Sequence, residues 1–268
     1  MPAKARPLLA IAAGLILMAT ACGADDERPA ASRTAVTASP AATRSADAAP
    51  SLAVTSPVSG TTVDGNVVTL DVEGDGISLV KADGDTSGES GHLHVFVDAD
   101  PVAEGETIPQ GPGIIHSAEE RITLYGLATG PHRMAVVLGD GTHRRIHGDV
   151  EANLTLTVAG PTVDVSSPPT VAAGQPLTAD ITVDGISLVK ADGDTSGTTG
   201  HLHLFIDREP TPAGQPIPAE AGIIHTAEPT VVVPDLPGGE HTIFVVVGDG
   251  AHVPLEPLVA DKFTVTVG

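Results

Sequence analysis

Residues 76–98 read GISLVKADGDTSGESGHLHVFVD, and residues 185–207 read GISLVKADGDTSGTTGHLHLFID. The match continues in register without a gap, at an offset of 109 residues from Gly76 to Gly185. It carries His92 onto His201, His94 onto His203, His116 onto His225, His132 onto His241 and His143 onto His252. Of the 11 histidines only His147 lacks a counterpart. A repeat this long exceeds any solenoid unit and is the size of one small domain. Two domains are therefore expected, 51–159 and 160–268, each with a modest core of its own, arranged as beads rather than a stacked array.

Around this stretch, short alternating runs are separated by Gly, Pro, Asn and Asp. Val68, Leu70 and Val72 alternate with Thr69, Asp71 and Glu73; Leu177, Ile181 and Val183 alternate with Thr178, Asp180, Thr182 and Asp184. A period of two is the mark of half-buried strands. Further runs lie at His92–Asp98, Arg121–Tyr125, His132–Leu138, Leu154–Val158 and Phe263–Val267. They bring each copy to roughly seven strands with no amphipathic helix, the pattern of an immunoglobulin-like β-sandwich. The fold class read from the sequence is all-β, two tandem sandwiches. The cysteine pair and core tryptophan of antibody domains are missing, so only the architecture is implied; a small jelly roll or barrel would read similarly.

The motifs GHLHLFID (200–207), PIP (216–218), GIIHTAE (222–228), GGEHTIFVVVGDGAHVP (238–254) and a closing FTVTV resemble the bacterial family called domain of unknown function 4399. The first copy, with GHLHVFVD, GIIHSAE and GPHRMAVVLGDGTH, resembles it too, although Arg144–Val150 departs from the family's proline-rich ending. The resemblance implies two full copies in one chain, a fold and a compartment, and no established activity. The family shows three consecutive histidines where this chain has His-Leu-His, and a glycine-rich segment where it has Ser117-Ala118 or Thr226-Ala227.

Residues two apart on a strand share a face, so His92 with His94, and His201 with His203, project side by side about 7 Å apart at the backbone. His132 and His241 open the strand that ends in Gly-Asp-Gly. His143 and His252 lie just beyond it, and His116 and His225 are expected on a connecting loop. Neutral imidazole is a good ligand for Cu(II) and Zn(II). The candidate metal ligands are thus His92, His94, His116, His132 and His143 with His201, His203, His225, His241 and His252, and Asp140 or Asp249 is a possible addition. The competing reading is that these imidazoles bond turn carbonyls and hold loops. His147 reads as a solvated surface residue.

Two other constellations fail. Asp83-Gly84-Asp85-Thr86-Ser87-Gly88, repeated at Asp192–Gly197, imitates the start of a calcium loop, but its twelfth position is His94 or His203 instead of a bidentate Glu. A plain Asp/Gly turn is expected there. No catalytic elbow, phosphate loop or H-E-x-x-H occurs, and the pair Glu119-Glu120 shrinks to Glu228 in the second copy. The sequence therefore reads as a binding protein, not an enzyme.

The N-terminus supplies the compartment. Lys4 and Arg6 precede an apolar run from Leu8 to Met18, then Ala19, Thr20 and Ala21 directly before Cys22. Eleven helical residues rise roughly 16 Å, about half a bilayer core, so residues 1–21 read as a secretory signal rather than a span. Cys22 is the chain's single cysteine and its setting resembles the lipobox of bacterial lipoproteins, which implies lipidation there and anchoring on the extracytoplasmic face of the cell membrane. Residues 22–50 have Val36 as their single large apolar side chain and read as a disordered linker. The net charge of −21 repels nucleic acid and anionic lipid and favours a metal cation or a basic partner. Two function classes follow: an anchored protein that captures copper or zinc, or a structural or adhesive envelope module.

Overall fold

A computed structural model of the chain describes residues 49–268 apart from Asp235. The expected signal segment 1–21, Cys22 and the expected linker up to residue 48 lie outside the described residues. Among those described there is no helix, and each copy contributes nine strands.

In the first copy these are β1 (Ser51–Ser56), β2 (Thr61–Asp64), β3 (Val68–Asp75), β4 (Ser78–Leu79), β5 (Ser90–Val97), β6 (Ile114–Ser117), β7 (Arg121–Leu124), β8 (Gly130–Gly139) and β9 (Arg145–Ala159). One sheet has the order β1-β3-β7. The other has the order β2-β9-β8-β5-β4, with β6 also paired to β5. Strands β2 and β4 run parallel to β9 and β5; every other pair is antiparallel. The three strands β1-β3-β7 facing β5-β8-β9 correspond to A-B-E against C-F-G of the immunoglobulin sandwich.

The second copy repeats this pattern strand for strand. Its elements are β10 (Thr162–Ser166), β11 (Thr170–Val171), β12 (Leu177–Asp184), β13 (Ser187–Leu188), β14 (Thr199–Ile206), β15 (Ile223–Thr226), β16 (Thr230–Val233), β17 (Gly239–Gly248) and β18 (Ala260–Val267). Their sheet orders are β10-β12-β16 and β11-β18-β17-β14-β13, with β15 on β14.

The alternation in β3 does what the pattern dictates. Val68, Leu70 and Val72 are buried between the sheets while Asp71 and Glu73 turn outward. They meet Leu93, Val95, Met134, Val136, Leu138, Leu154 and Leu156 from the opposite sheet, and Ile181, Leu202, Leu204, Val245 and Val247 build the matching core in the second copy.

Strands β5 and β8 depart from the half-buried expectation, because both of their faces are covered. The segment between β5 and β6 folds over the outer face and seats Ile108 on Phe96, Ala135 and Val137. Ile217 does the same against Phe205, Phe244 and Val246. This second, smaller apolar layer shields whatever else lies on that face.

The last strand differs between copies. In the first copy β9 runs from Arg145 with a register shift opposite Val137 and Leu138, well beyond the expected Leu154–Val158. Buried Arg145 anchors it, donating to the carbonyls of Val102 and Gly148 and pairing with Glu151. The second copy has Pro254 and Pro257 in this stretch, and proline offers no N–H to a ladder, so β18 begins only at Ala260.

Residues 49–268 lie within one compact unit, so the copies are not separate beads. Fully buried Asn66 donates to the carbonyl of Val163 at 2.7 Å and accepts from the backbone N–H of Ala260 at 3.0 Å. The Tyr125 ring meets Phe244 edge-on at 5.3 Å, over an apolar patch that includes Val67 and Leu258.

Candidate metal centre

The alternation of β5 separates its residues into two sets. Leu93 and Val95 enter the sandwich core, whereas His92 and His94 emerge on the shielded outer face beside Phe96. Strand β6 pairs with β5 so that His116 stands directly opposite His94 in the ladder. A direct cross-strand neighbour lies close enough for side-chain contact. His116 and His225 are therefore strand residues, not loop residues as expected, and their register puts them in the cluster.

His143 arrives from the turn between β8 and β9, in the left-handed region at φ 64°; His252 does so at φ 60°. A non-glycine residue there costs energy and persists where its surroundings hold it. Several bonds do so. The Asp140 carboxylate accepts from the N–H groups of Thr142 and Arg144, and the His143 carbonyl accepts from Ile108 N–H at 2.7 Å. In the second copy Asp249 accepts from Ala251 and Val253, and the His252 carbonyl accepts from Ile217 N–H at 2.6 Å. Asp140 and Asp249 thus shape the turn and stand outside the histidine set.

The Asp83–Gly88 stretch is a turn. Asp83 accepts from Asp85 N–H, and Asp85 accepts from Ser87 and Ser90. It docks on the Gly-Asp-Gly turn through Gly84 N–H to the Gly141 carbonyl and Gly141 N–H to the Asp85 carbonyl. Gly141 and Gly250 are glycines because a Cβ on either would overlap the docked Asp/Gly turn.

The outcome is two matching clusters: His92, His94, His116 and His143, and His201, His203, His225 and His252. In each, one nitrogen per ring lies within 4.8 Å of the others. Ring centroids are 4.4 Å apart for His92–His94, 4.3 Å for His94–His116 and 4.7 Å for His92–His143, with 4.4, 4.6 and 4.6 Å for the equivalent pairs in the second copy. Tetrahedral coordination at roughly 2.0–2.1 Å needs nitrogens about 3.4 Å apart, so ring rotations on the order of an ångström close the set.

Both ring nitrogens of His92, His94, His201 and His203 are buried with no hydrogen-bond partner of acceptable geometry. Leaving a buried polar group unsatisfied costs roughly 1–3 kcal/mol, so several in one place is a large penalty for a merely structural cluster. Burial, reinforced by the neighbouring rings, pushes the His92 imidazole down to about 4 and His203 to about 3, with His94 lower still. His116 and His201 are lowered by the same desolvation. The rings are thereby held neutral, the form that ligates a metal.

His132 and His241 do not join the clusters. The His132 ring bonds the Asp98 carboxylate at 2.7 Å through Nδ1 and the Ala128 carbonyl at 2.7 Å through Nε2. His241 bonds Asp207 at 2.6 Å and the Pro237 carbonyl at 2.8 Å, and its hydrogen bond to Asp207 raises its pKa. With both nitrogens engaged, these two rings are turn fasteners and have no lone pair to offer an ion. His147 is half-buried and bonds the Gly88 carbonyl at 3.1 Å, so it is not the freely solvated residue expected.

The sequence pattern of the domain of unknown function DUF4399 matches the chain twice, over residues 68–159 and 179–268. The chain belongs to the DUF4399 family. Each DUF4399 match contains one complete four-histidine cluster, while β1, β2, β10 and β11 fall outside the matched spans. No curated protein matches the sequence. Among solved structures, a protein of Corynebacterium diphtheriae described as membrane anchored is similar at 15% identity, covering 81% of this chain and 53% of that one, with a TM-score of 0.28. The human desmocollin-1 ectodomain is similar at 13% identity, covering 82% of this chain and 41% of that one, with a TM-score of 0.19. The chain thus spans about half the length of these two proteins.

Proposed function

We propose that this DUF4399 protein is an anchored, extracytoplasmic lipoprotein that captures a transition metal, copper or zinc, one ion in each domain. The ligands are His92, His94, His116 and His143 in the first domain and His201, His203, His225 and His252 in the second. The observation that carries the proposal is the set of buried ring nitrogens with no partner, converging within 4.8 Å twice in one chain. A metal ion at each cluster satisfies one nitrogen of every unpartnered ring there, His92, His94 and His116 in the first and His201 and His203 in the second. The module reading, with histidines serving only to hold loops, predicts rings bonded to carbonyls and carboxylates, as His132 and His241 are. In the four-histidine sets His225 has that character, its Nε2 lying 3.3 Å from the Pro218 carbonyl, while His92, His94, His201 and His203 have no such bond.

The anchor is read from Cys22 behind Ala19-Thr20-Ala21, and the net charge of −21 favours the arrival of cations at the surface. The role is retention rather than turnover. Equilibrium dialysis of the purified protein against Cu(II) and Zn(II), followed by metal analysis, tests the reading. One ion per domain is expected, and His201→Ala with His203→Ala removes one of the two. Retention of neither metal at micromolar concentration overturns it.

A further inference from the structure

We infer that the metal in the first domain is Cu(II) with an exchangeable position that takes a small monoanion of azide or halide size; this rests on the metal reading above. A cavity of about 190 Å³ lies against the cluster, lined by Lys81, Ala82, His92, His116, Ser117, Ala118 and His143. Three of the four ligand histidines thus face it, while His94 is fully buried and does not line it. The volume equals several waters at about 30 Å³ each, ample for a two- or three-atom ligand.

Charge gives the class of ligand. The cluster itself contains imidazoles and no carboxylate; Asp83 and Asp140 act on His92 from outside the set, so no negative ligand would touch a bound dication directly. An uncompensated buried charge is costly, and a coordinating anion relieves it. Asp140 does not coordinate, because its carboxylate is bonded to the turn, so a ligand entering the cavity would be the one anion in direct contact with the ion. Exposed Lys81 stands at the cavity rim in a strongly acidic protein, and Lys190 occupies the equivalent sequence position. Zinc closed by four histidines would have no position left, whereas Cu(II) can take a further ligand, and the cavity lined by His92, His116 and His143 would admit one.

The test is an azide titration of the full chain loaded with copper, followed by the ligand-to-metal charge-transfer absorption and the electron paramagnetic resonance spectrum. Nitrogen hyperfine structure reports the histidine ligands independently of azide. A saturable new absorption band is expected. Lys81→Ala should weaken azide binding at the first domain roughly two- to fivefold, the range of an exposed charge pair. Ala118→Leu, which fills the cavity, should abolish azide binding there with copper retained. Copper held by nitrogen ligands with a spectrum that excess azide leaves unchanged overturns the inference and leaves the metal reading standing. Failure to hold copper at all overturns both.

Discussion

Gly139, the last residue of β8, lies flat against the imidazole of His94, so close that a methyl group on its α-carbon would overlap the ring. Gly248 stands in the same relation to His203. The first glycine of each Gly-Asp-Gly turn therefore makes the room in which the deepest ligand sits. The second, Gly141 or Gly250, makes the room for the turn that braces it.

Gly139→Ala should disturb the first cluster selectively. Overpacking a filled interior costs about 1–3 kcal/mol, and here the displaced group is a ligand. The variant is expected to fold with a lowered melting temperature and to lose one metal equivalent of two, read by metal analysis after dialysis. Gly248→Ala should remove the other. Two equivalents at wild-type affinity in Gly139→Ala would exclude His94 from the site.

The metal-free protein should weaken in acid. The imidazoles of His92 and His203 protonate in the folded state only near about 4 and 3, because burial disfavours the charged ring, while in the unfolded chain they protonate near 6.5. Between those values the unfolded state binds more protons, so stability is full above about pH 6.5 and falls as the pH drops toward 4. His241, whose pKa is raised by Asp207, acts in the opposite sense: its contribution is present at low pH and lost as the pH rises through its folded pKa. The lowered rings outnumber it. Denaturant midpoints of chelator-treated protein across this range measure the slope, and a flat profile would contradict the buried neutral rings.

His132→Ala should cost stability without costing metal. Its ring fastens Asp98 to the Ala128 carbonyl, and removing it leaves that carbonyl without its partner at a cost of roughly 1–3 kcal/mol. Metal stoichiometry should stay at two. A lost equivalent would mean that the ring reaches the ion after all.

Asn66→Ala should loosen the two domains from each other. The substitution strands the Val163 carbonyl and the Ala260 N–H at a buried interface, with an expected cost of about 2–4 kcal/mol in coupling. Calorimetry should resolve two transitions where the wild type has one. Gln175, the exposed residue 109 positions further on, is the control, and its replacement by Ala should leave the unfolding profile unchanged.

Much of this was legible in the letters. Period-two alternation at 68–72 and 177–183 specifies strands whatever surrounds them, because side chains on a strand point alternately to opposite faces. The exact repeat of GISLVKADGDTSG specifies two copies, and the spacing of His92 and His94 specifies a shared face. Register and closure were not legible. His116 enters the site because β6 pairs with β5 at His94, and His143 enters because Asp140 and Ile108 hold its turn, both contacts between residues distant in the chain.

His132 carried the same sequence credentials as His94 and was sorted away from it by tertiary structure, which placed Asp98 and the Ala128 carbonyl within its reach. The interface was hidden for a related reason. Asn66, Tyr125, Phe244 and Lys262 stand where the other copy has Gln175, Pro234, Ala135 and Asn153, and such differences read as drift until the two domains are seen touching there. Local covalent geometry fixes which residues share a strand face; which faces meet, and hence which histidines are left without a partner, is a property of the packed chain alone.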